Sequence, residues 1–322
     1  MSKIGTDIAY AKALLEAGKL VAIPTETVYG LAGNGLNEQA VAAIFAAKNR
    51  PSFDPMILHT HSLSAIAPLV KTIPPAIRQL ADAFMPGPLS ILLEKTALVP
   101  DIVTAGSPLV AIRIPNHPLS LQLLSQLDFP LAAPSANPFG YISPTTAHHV
   151  ADQLGDQVDY ILDGGACQVG LESTIVKWEK EAGLTVLRVG GIPVEAIESV
   201  IGKVAVRNHS SSNPAAPGML KSHYAPRVPI MLLEQGHPLP SQVYEGKKVG
   251  ALAFAKYYEE LPPDHQLLLS ASGDLAEAAQ RLFAHLRQLD QMDLDLIVTS
   301  YVPNEGLGRA INDKLKRAAA RG

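Results

Sequence analysis

The chain has 322 residues, more than the roughly 100–200 of a single typical domain, and this length predicts two domains. A hydrophobic content of 47% and a net charge of −4 exclude a disordered chain and a protein that binds nucleic acid over its whole surface, although a local basic cleft stays open. One cysteine, Cys167, excludes an internal disulfide and a cysteine cluster for zinc, and it fits a reducing compartment.

The segment from Met1 to Asp7 lacks the charged and apolar regions of a signal peptide. No apolar run approaches the roughly 18 residues of a membrane span. We therefore expect a cytoplasmic protein with no membrane partner.

The first elements are a helix, a strand and a second helix. Capping residues and an apolar stripe predict a helix from Asp7 to Gly18, and an apolar strand follows from Leu20 to Ile23. The second helix begins after Asn37 and must end before Pro51, because a residue preceding proline avoids helical dihedrals.

Short apolar runs and amphipathic segments then alternate. The predicted strands are Met56–His59, Leu89–Leu93, Val110–Ile114, Leu131–Ala133, Tyr160–Asp163, Ser173–Lys177 and Leu184–Val189. The predicted helices are Ser62–Val70, Pro75–Phe84, His117–Leu127 and Thr146–Leu154. Because strands outnumber helices, we expect a mixed sheet rather than a purely parallel one.

The composition changes at 208–217, a Ser/Pro/Ala/Asn segment without periodicity that is typical of a linker. Beyond Pro229 the pattern of short strands and helices restarts and predicts a small α/β unit. Its elements are strands Ile230–Leu233, Val249–Phe254 and Leu294–Thr299, a helix Asp274–Leu289 and a basic helix Leu307–Arg321. We predict domains at 1–207 and 229–322, joined by a linker at 208–228.

The segment Pro24-Thr25-Glu26-Thr27-Val28-Tyr29-Gly30-Leu31 follows the first strand directly. Short hydroxyl side chains mounted at the end of a core strand are typical of ligand-binding loops. An ordinary turn after a buried strand explains the same residues when they are taken alone.

Two cations, Lys48 and Arg50, lie at the exit of the second helix and suit a phosphate. A cation at a helix C-terminus is also favoured by the helix dipole, so this interpretation stays open. Asp54 and His59 follow, and they read equally well as a turn former and a surface histidine.

Arg113 lies in an otherwise apolar strand and needs a partner. A guanidinium binds a carboxylate in bidentate fashion, so either an amino-acid ligand or a structural Asp or Glu fits. The later turn 134–140, with Ser143 just beyond, offers hydroxyl, amide and backbone N–H groups that can hold an anion, and a ligand-free loop fits it equally. The phosphate-loop, dinucleotide, zinc and hydrolase motifs are missing.

Taken in order, seven motifs resemble the YrdC-like family of L-threonylcarbamoyladenylate synthases in its long two-domain form. They are Pro24–Leu31, Lys48–Pro51, Met85–Pro88, Arg113–Pro115, Ser135–Asn137, Asp163–Gly165 and Glu172–Ile175. Segments 217–226 and 306–319 are similar to the linker and the C-terminal domain of that form. The resemblance implies an α/β fold, with a YrdC-like twisted mixed sheet and helices, followed by a smaller C-terminal α/β (Rossmann-like) domain.

The resemblance further implies an enzyme that joins L-threonine, bicarbonate or CO₂ and ATP into threonylcarbamoyl-AMP and releases pyrophosphate. Mg²⁺ accompanies the ATP. The product would serve the tRNA-modifying threonylcarbamoyl transferase machinery, which completes threonylcarbamoyladenosine beside the anticodon, and tRNA itself is a candidate partner. No organic cofactor is implied, and the metal ligands are left open.

Site residues follow from the resemblance position by position. The matched threonine-binding positions are Thr27, His59, Arg113 and Ser173. The matched positions around ATP are Lys48, Arg50, Asp54, Ser135, Asn137, Ser143, Arg188 and Tyr224. Two residues depart from the family pattern: Asp54 replaces a common asparagine, and Pro134 replaces a hydroxyl residue. Because Asp54 would repel phosphate, we expect it to contact the nucleotide's sugar or a bound cation.

With no covalent nucleophile evident, we expect positioning and charge stabilisation by Lys48 and Arg50 to drive the reaction. Tyr224 predicts that the linker closes over the nucleotide as a lid. A related class that uses carbamoyl phosphate carries acylphosphatase-like and zinc-finger segments, for which this chain lacks the length and the cysteines. The remaining alternative is a double-stranded RNA- or tRNA-binding module without chemistry.

Overall fold

The computed structural model describes residues 3–207 and 223–320, which form two compact units. The described part of the first unit consists of residues 3–139, 143–168 and 172–207. The second consists of residues 140–142, 169–171 and 223–320. Most of the predicted linker, at 208–222, lies outside the described residues.

The first unit contains eleven strands and eight α-helices in its described residues. The strands are β1 Lys3–Gly5, β2 Val21–Ile23, β3 Gly30–Asn34, β4 Ile57–His59, β5 Leu89–Glu94, β6 Leu109–Arg113, β7 Leu131–Ala132, β8 Tyr160–Leu162, β9 Thr174–Glu179, β10 Gly183–Arg188 and β11 Ala205–Val206. The helices are α1 Ile8–Glu16, α2 Glu38–Lys48, α3 Leu63–Ile66, α4 Pro75–Phe84, α5 Asp101–Thr104, α6 Pro118–Leu124, α7 Ala147–Leu154 and α8 Val194–Ile201. Short 3₁₀ turns at Ala67–Leu69 and Gly155–Gln157 follow α3 and α7.

All eleven strands join one sheet in the order β1-β8-β2-β3-β7-β4-β6-β5-β9-β10-β11. Parallel pairs, such as β4 with β6, occur together with antiparallel pairs, such as β5 with β6. The predicted mixed sheet is therefore confirmed. The order brings β4, β6, β5 and β9 side by side, so residues that are distant in sequence meet at the ends of neighbouring strands.

Helix boundaries in this unit follow the capping residues that the sequence offers. The Asp7 side chain accepts a hydrogen bond from the N–H of Tyr10 at the start of α1, and Asn37 does the same for two N–H groups of α2. Asn49 adopts the left-handed conformation (φ 49°) and ends α2 before Pro51. Lys48 is consequently the last helical residue, at the exit where the sequence predicted it.

Several short elements were missed by the sequence prediction. They are β1, β3, β11, α5 and α8 in the first unit. Strand β3 matters most, because it pairs antiparallel with β2 and makes the Pro24–Tyr29 loop the connection between two paired strands. Helix α6 also ends three residues earlier than predicted, at Leu124 rather than Leu127.

The second unit has a four-stranded, fully parallel sheet in the order β12-β15-β13-β14. Its described elements are β12 Ile230–Leu233, β13 Val249–Ala253, β14 Gln266–Leu268, β15 Leu296–Ser300, α9 Ser241–Tyr244, α10 Leu275–Gln291 and α11 Gly308–Ala319, with a 3₁₀ turn at Pro263–His265. The predicted small α/β unit is confirmed, with β14 and α9 as additions. None of the helices in either described range is long and apolar enough to cross a membrane.

Candidate functional site

The loop between β2 and β3 holds its own shape through hydroxyl groups. Thr25 Oγ1 lies 2.8 Å from Thr27 Oγ1 and donates a hydrogen bond to the carbonyl of Val28 at 2.6 Å. It also accepts hydrogen bonds from the backbone N–H groups of Thr27 and Val28, each at 3.2 Å. Both threonines are buried. The hydroxyl of Thr27 is thus fixed in direction, as a binding loop requires.

Arg113, at the end of β6, makes three contacts with its buried guanidinium. Nη1 donates to Thr27 Oγ1 at 2.9 Å, and Nε donates to the carbonyl of Gly87 at 3.2 Å. Nη2 lies 2.7 Å from Oε1 of Glu26. The sequence left open whether Arg113 meets a structural carboxylate, and Glu26 is that carboxylate.

Glu26 was not among the predicted site residues. It is buried, and its second oxygen accepts a hydrogen bond of 3.0 Å from the backbone N–H of Asn116. The signal available was its position between two hydroxyl residues in the loop. No spacing rule connects it to Arg113, which lies 87 positions later in the chain.

His59 ends β4 opposite Arg113 in the parallel register of β4 and β6. Its Nδ1 lies 3.2 Å from the carbonyl of Ile57. Burial and the nearby Arg113 charge lower the pKa of His59 to about 3. The imidazole is therefore neutral near pH 7, and it can exchange hydrogen bonds with a ligand without adding charge.

Ser173, which directly precedes β9, lies on the neighbouring part of the sheet. Its Oγ is 2.7 Å from Oγ of Ser90, and Nη2 of Arg188 donates to both its Oγ (3.0 Å) and its carbonyl (2.8 Å). The next N–H along the chain, of Thr174, donates to the carbonyl of Pro88 at 2.9 Å. Arg113 and Ser173 thus both contact the segment 87–90. Thr27 contacts Arg113, and His59 is the register partner of Arg113 on the neighbouring strand.

Lys48 is fully buried and directed toward the turn that contains Ser135 and Asn137. Its Nζ donates to the carbonyls of both residues, at 2.5 Å for Ser135. Its own carbonyl accepts from the N–H of Phe139 at 2.8 Å. Burial, with repulsion from Arg50 as a smaller cause, holds the pKa of Lys48 well below its usual range.

Arg50 and Asp54 form a buried ion pair with an Nη2 to Oδ2 distance of 2.9 Å. Arg50 also donates to the carbonyls of Asp54 (3.1 Å) and Pro55 (2.7 Å). Burial raises the pKa of Asp54, whereas the charges of Arg50, Lys48 and Arg188 oppose that shift. Asp54 therefore neutralises part of the positive charge that the sequence assigned to phosphate.

Ser143, another predicted ATP position of the first unit, connects the predicted ATP-binding residues to the predicted threonine-binding residues. Ser143 Oγ donates to Glu172 Oε1 at 2.6 Å, and Glu172 directly precedes Ser173. The backbone of Tyr29 donates to the carbonyl of Pro144 and accepts from the N–H of Ala136. The Pro24–Tyr29 loop and the Ser135–Asn137 turn are thus neighbours, joined through Tyr29.

Tyr224 belongs to the second unit. Its backbone has a positive φ of 64°. The centre of its buried ring lies 5.4 Å from that of the Phe283 ring and 4.2 Å from that of the His223 ring. Nζ of Lys314 is 5.4 Å from the centre of the same ring. The other predicted site residues are in the first unit.

The part of the chain that the structure describes also bears on what a metal site needs. Within residues 3–207 and 223–320, no group of three or more His, Cys, Asp or Glu side chains could hold a metal ion. Asp54, the acidic residue among the predicted ATP positions, is already paired with Arg50.

The first unit is therefore an α/β fold with a buried group of hydroxyl, guanidinium and imidazole side chains beside a second group that is rich in cations. Such a combination suits a small zwitterion next to a polyanion. Cys167, which lies near Thr25 of the Pro24–Tyr29 loop, is buried, and burial raises the pKa of its thiol to about 12.

The chain belongs to the Sua5, YciO and YrdC family. The family model described as "Telomere recombination" matches residues 13–190, more than half of the chain. A second model, described as the C-terminal domain of threonylcarbamoyl-AMP synthase, matches residues 192–320. The family and two-domain form predicted from the motifs are confirmed.

Named relatives extend the comparison over nearly the whole chain. The threonylcarbamoyl-AMP synthases of Pyrococcus abyssi and Bacillus subtilis are each 38% identical over 97% of this chain, and the match covers 94% and 92% of those proteins. The crystal structure of P. abyssi Sua5 complexed with L-threonine superposes with a TM-score of 0.90 at 37% identity, over 99% of this chain and 97% of that one. The predicted fold class is confirmed.

Proposed function

We propose that this chain is a threonylcarbamoyl-AMP synthase, which condenses L-threonine, bicarbonate or CO₂ and ATP and releases pyrophosphate. Full-length relatives with this name and the structure of Sua5 with L-threonine support the enzyme, and no comparison supports the alternative of an RNA-binding module. The ATP, bicarbonate and tRNA-related parts of the proposal are argued from the site's chemistry.

The observation that carries the proposal is the set of N–H groups that the buried guanidinium of Arg113 keeps available for a ligand. A guanidinium has five N–H groups. In the described residues, Nε donates to Gly87 and Nη1 to Thr27, while Nη2 has only the ion-pair contact with Glu26, so both terminal nitrogens keep N–H groups available. Two N–H groups held in a buried, rigid frame suit a carboxylate, and the Thr27 hydroxyl and His59 imidazole beside them suit the remaining polar groups of threonine.

The chemistry proceeds in two steps. The ammonium group of threonine first gives a proton to bicarbonate or water, and the resulting amine attacks CO₂. A second proton passes to the same kind of acceptor as the new N–C bond becomes that of a carbamate. A carbamate oxygen then attacks the α-phosphate of ATP in line, and the bond to the β-phosphate oxygen breaks to release pyrophosphate. The side chains described above bind and orient the reactants, so the rate comes mainly from positioning and charge stabilisation.

Negative charge on the triphosphate would be balanced by Lys48, Arg50 and Arg188. Their side chains are buried, which strengthens each interaction compared with water. Ser135, Asn137 and Ser143 would supply hydroxyl and amide contacts to the nucleotide. Mg²⁺ bound to the phosphates would neutralise further charge, and the described residues are compatible with its arriving together with ATP.

The adenylate would pass to a threonylcarbamoyl transferase that modifies tRNA. Direct binding of tRNA and a cytoplasmic location stay predictions.

Threonine-dependent exchange of radiolabelled pyrophosphate into ATP tests the proposal. The purified chain, with Mg²⁺ and bicarbonate, should exchange label only when L-threonine is present. An RNA-binding module would show no exchange, and it would bind duplex RNA with an affinity that falls steeply with salt. Absence of exchange at saturating threonine and ATP would overturn the enzyme assignment.

A further inference from the structure

Glu26 lies beside the guanidinium to which the carboxylate of threonine is assigned. Its Oε1 is 2.7 Å from Nη2 of Arg113, and its Oε2 accepts a hydrogen bond of 3.0 Å from the N–H of Asn116. The residue is only 5% exposed. Both oxygens are therefore held, and the carboxylate has a fixed position within the loop that also carries Thr27.

The carboxylate of Glu26 retains capacity to accept hydrogen bonds. An ionised carboxylate has about four lone-pair sites. In the described residues, each oxygen of Glu26 has one contact, with Arg113 on one side and Asn116 on the other. The oxygen that faces Arg113 is buried and accepts no hydrogen bond from a described residue, so it can still accept one from a ligand.

We propose that Glu26 determines specificity for an α-amino acid with a free ammonium group. Glu26 and Arg113 form adjacent opposite charges that match the zwitterion, with Arg113 toward the carboxylate and Glu26 toward the ammonium. This inference rests on the proposed function, since it takes Arg113 as the carboxylate-binding residue. It adds to that function the residue that contacts the ammonium group of threonine.

The other titratable groups around the threonine-binding residues do not suit an ammonium as well. Arg188, which contacts Ser173, is a cation. His59 is neutral, since its pKa is lowered to about 3, and the thiol of Cys167 is neutral, since burial raises its pKa to about 12. A carboxylate is the strongest acceptor for an ammonium, and Glu26 supplies one in contact with Arg113.

A second buried carboxylate, Glu172, provides a matched control. It precedes Ser173 in the chain, and its Oε1 accepts from Ser143 Oγ at 2.6 Å. It thus belongs to the side of the site assigned to the nucleotide. Replacing it with glutamine removes an equally buried negative charge without touching the contact between Glu26 and Arg113.

Calorimetric titration of the full chain with two ligands tests the inference. The ligands are L-threonine and the β-hydroxybutyrate of the same hydroxyl configuration, which is threonine without its ammonium group. The unaltered chain should bind L-threonine at least about tenfold more tightly, the size expected for one hydrogen bond between charged groups. Glu26→Gln should weaken L-threonine binding about tenfold and change β-hydroxybutyrate binding by less than about twofold.

The outcomes separate specificity from a purely structural role. If Glu26 only orients Arg113, its replacement would lower the affinity for both ligands equally. An equal loss of affinity for the two ligands in Glu26→Gln therefore overturns the inference. Glu172→Gln should leave the ratio of the two affinities unchanged. Glu26→Asp keeps the charge and should keep the preference for threonine; loss of that preference would also overturn the inference.

Two results do not depend on Glu26→Gln folding. If the unaltered chain binds both ligands with equal affinity, the proposed role of Glu26 toward the ammonium group is wrong, although binding of threonine itself is still supported. If it binds neither ligand, the proposed function itself fails, and this inference fails with it.

Discussion

Lys48 and Ser135 lie 87 positions apart in the chain and are joined by a hydrogen bond of 2.5 Å from the lysine Nζ to the serine carbonyl. The carbonyl of Asn137 accepts a second bond from the same ammonium. The last residue of α2 thus holds the turn whose hydroxyl and amide are assigned to ATP. Lys48 orders that turn as well as carrying charge.

Replacing Lys48 with methionine should raise the KM for ATP in pyrophosphate exchange about tenfold or more, because two charge-assisted hydrogen bonds to the turn are lost. Methionine keeps an unbranched chain of similar length in the buried site. Lys19→Met, at an exposed lysine, should behave as the unaltered chain. An unchanged KM for ATP in Lys48→Met would contradict both roles of the residue.

Arg113→Ala should abolish the calorimetric signal of L-threonine, since the donors for its carboxylate are removed. It should also lower the free energy of unfolding by about 3–5 kcal/mol, because Glu26 is left as a buried charge without its partner. Denaturant titration measures this loss. The exposed Arg78 offers a control in Arg78→Ala, which should change neither quantity. Normal threonine binding by Arg113→Ala would remove the carboxylate assignment.

His59 should make the first unit less stable in acid. Its folded pKa of about 3 lies below the ordinary value of 6.5, so the unfolded chain binds more protons between these limits. Stability is therefore lost as the pH falls from about 6.5 toward 3, by up to about 1.4 kcal/mol per pH unit from this residue. Urea unfolding of His59→Gln across this range should show a shallower decline than that of the unaltered chain. Parallel declines would mean that His59 titrates normally.

Tyr224→Ala should reduce pyrophosphate release about tenfold to a hundredfold if Tyr224 helps to position the nucleotide. Tyr224→Phe retains the ring that packs against Phe283 and therefore isolates the hydroxyl. Tyr257, 51% exposed in the same unit, supplies the control Tyr257→Ala. Turnover that is unchanged in Tyr224→Ala would refute the predicted lid.

Gly190→Ala should disturb the threonine-binding side of the site. A Cβ there would meet the carbonyl oxygen of Glu172 and lie 2.6 Å from the carbonyl carbon of Ser173. Overpacking of this kind costs about 1–3 kcal/mol and would shift Ser173. Gly202→Ala, where φ is 82° in a region that glycine alone adopts readily but the space is open, should lose about 1–3 kcal/mol without affecting threonine affinity. Threonine titration and thermal unfolding distinguish the two variants.

Elements with strong local signals could be predicted from the sequence alone. Helix α4 begins and ends at the predicted Pro75 and Phe84, and strand β12 has the predicted bounds. Strand β3 could not be predicted, because Gly-Leu-Ala-Gly-Asn contains two glycines and no β-branched residue. It is a strand because β2 and β7 pair with it on either side, which is tertiary information.

In the candidate site, too, some features could be predicted from the sequence and others depend on the tertiary structure. The sequence predicted that Arg113 needs a partner, and the structure supplies Glu26. It predicted Lys48 as a cation at a helix exit, and the structure shows two backbone carbonyls that accept hydrogen bonds from it. The partners could not be predicted, since sheet order rather than sequence spacing brings them together. Roles toward threonine and ATP came from the motif resemblance, and the experiments above test them.

The large sheet ends on both sides in very short strands, β1 with three residues and β11 with two. An edge that short offers few free backbone groups to a stray extended chain, so it is a poor template for aggregation. We expect the long central strands to be protected from such pairing at high protein concentration, because each has a neighbour on both sides. Lengthening β11 with alternating valine and threonine would remove that protection.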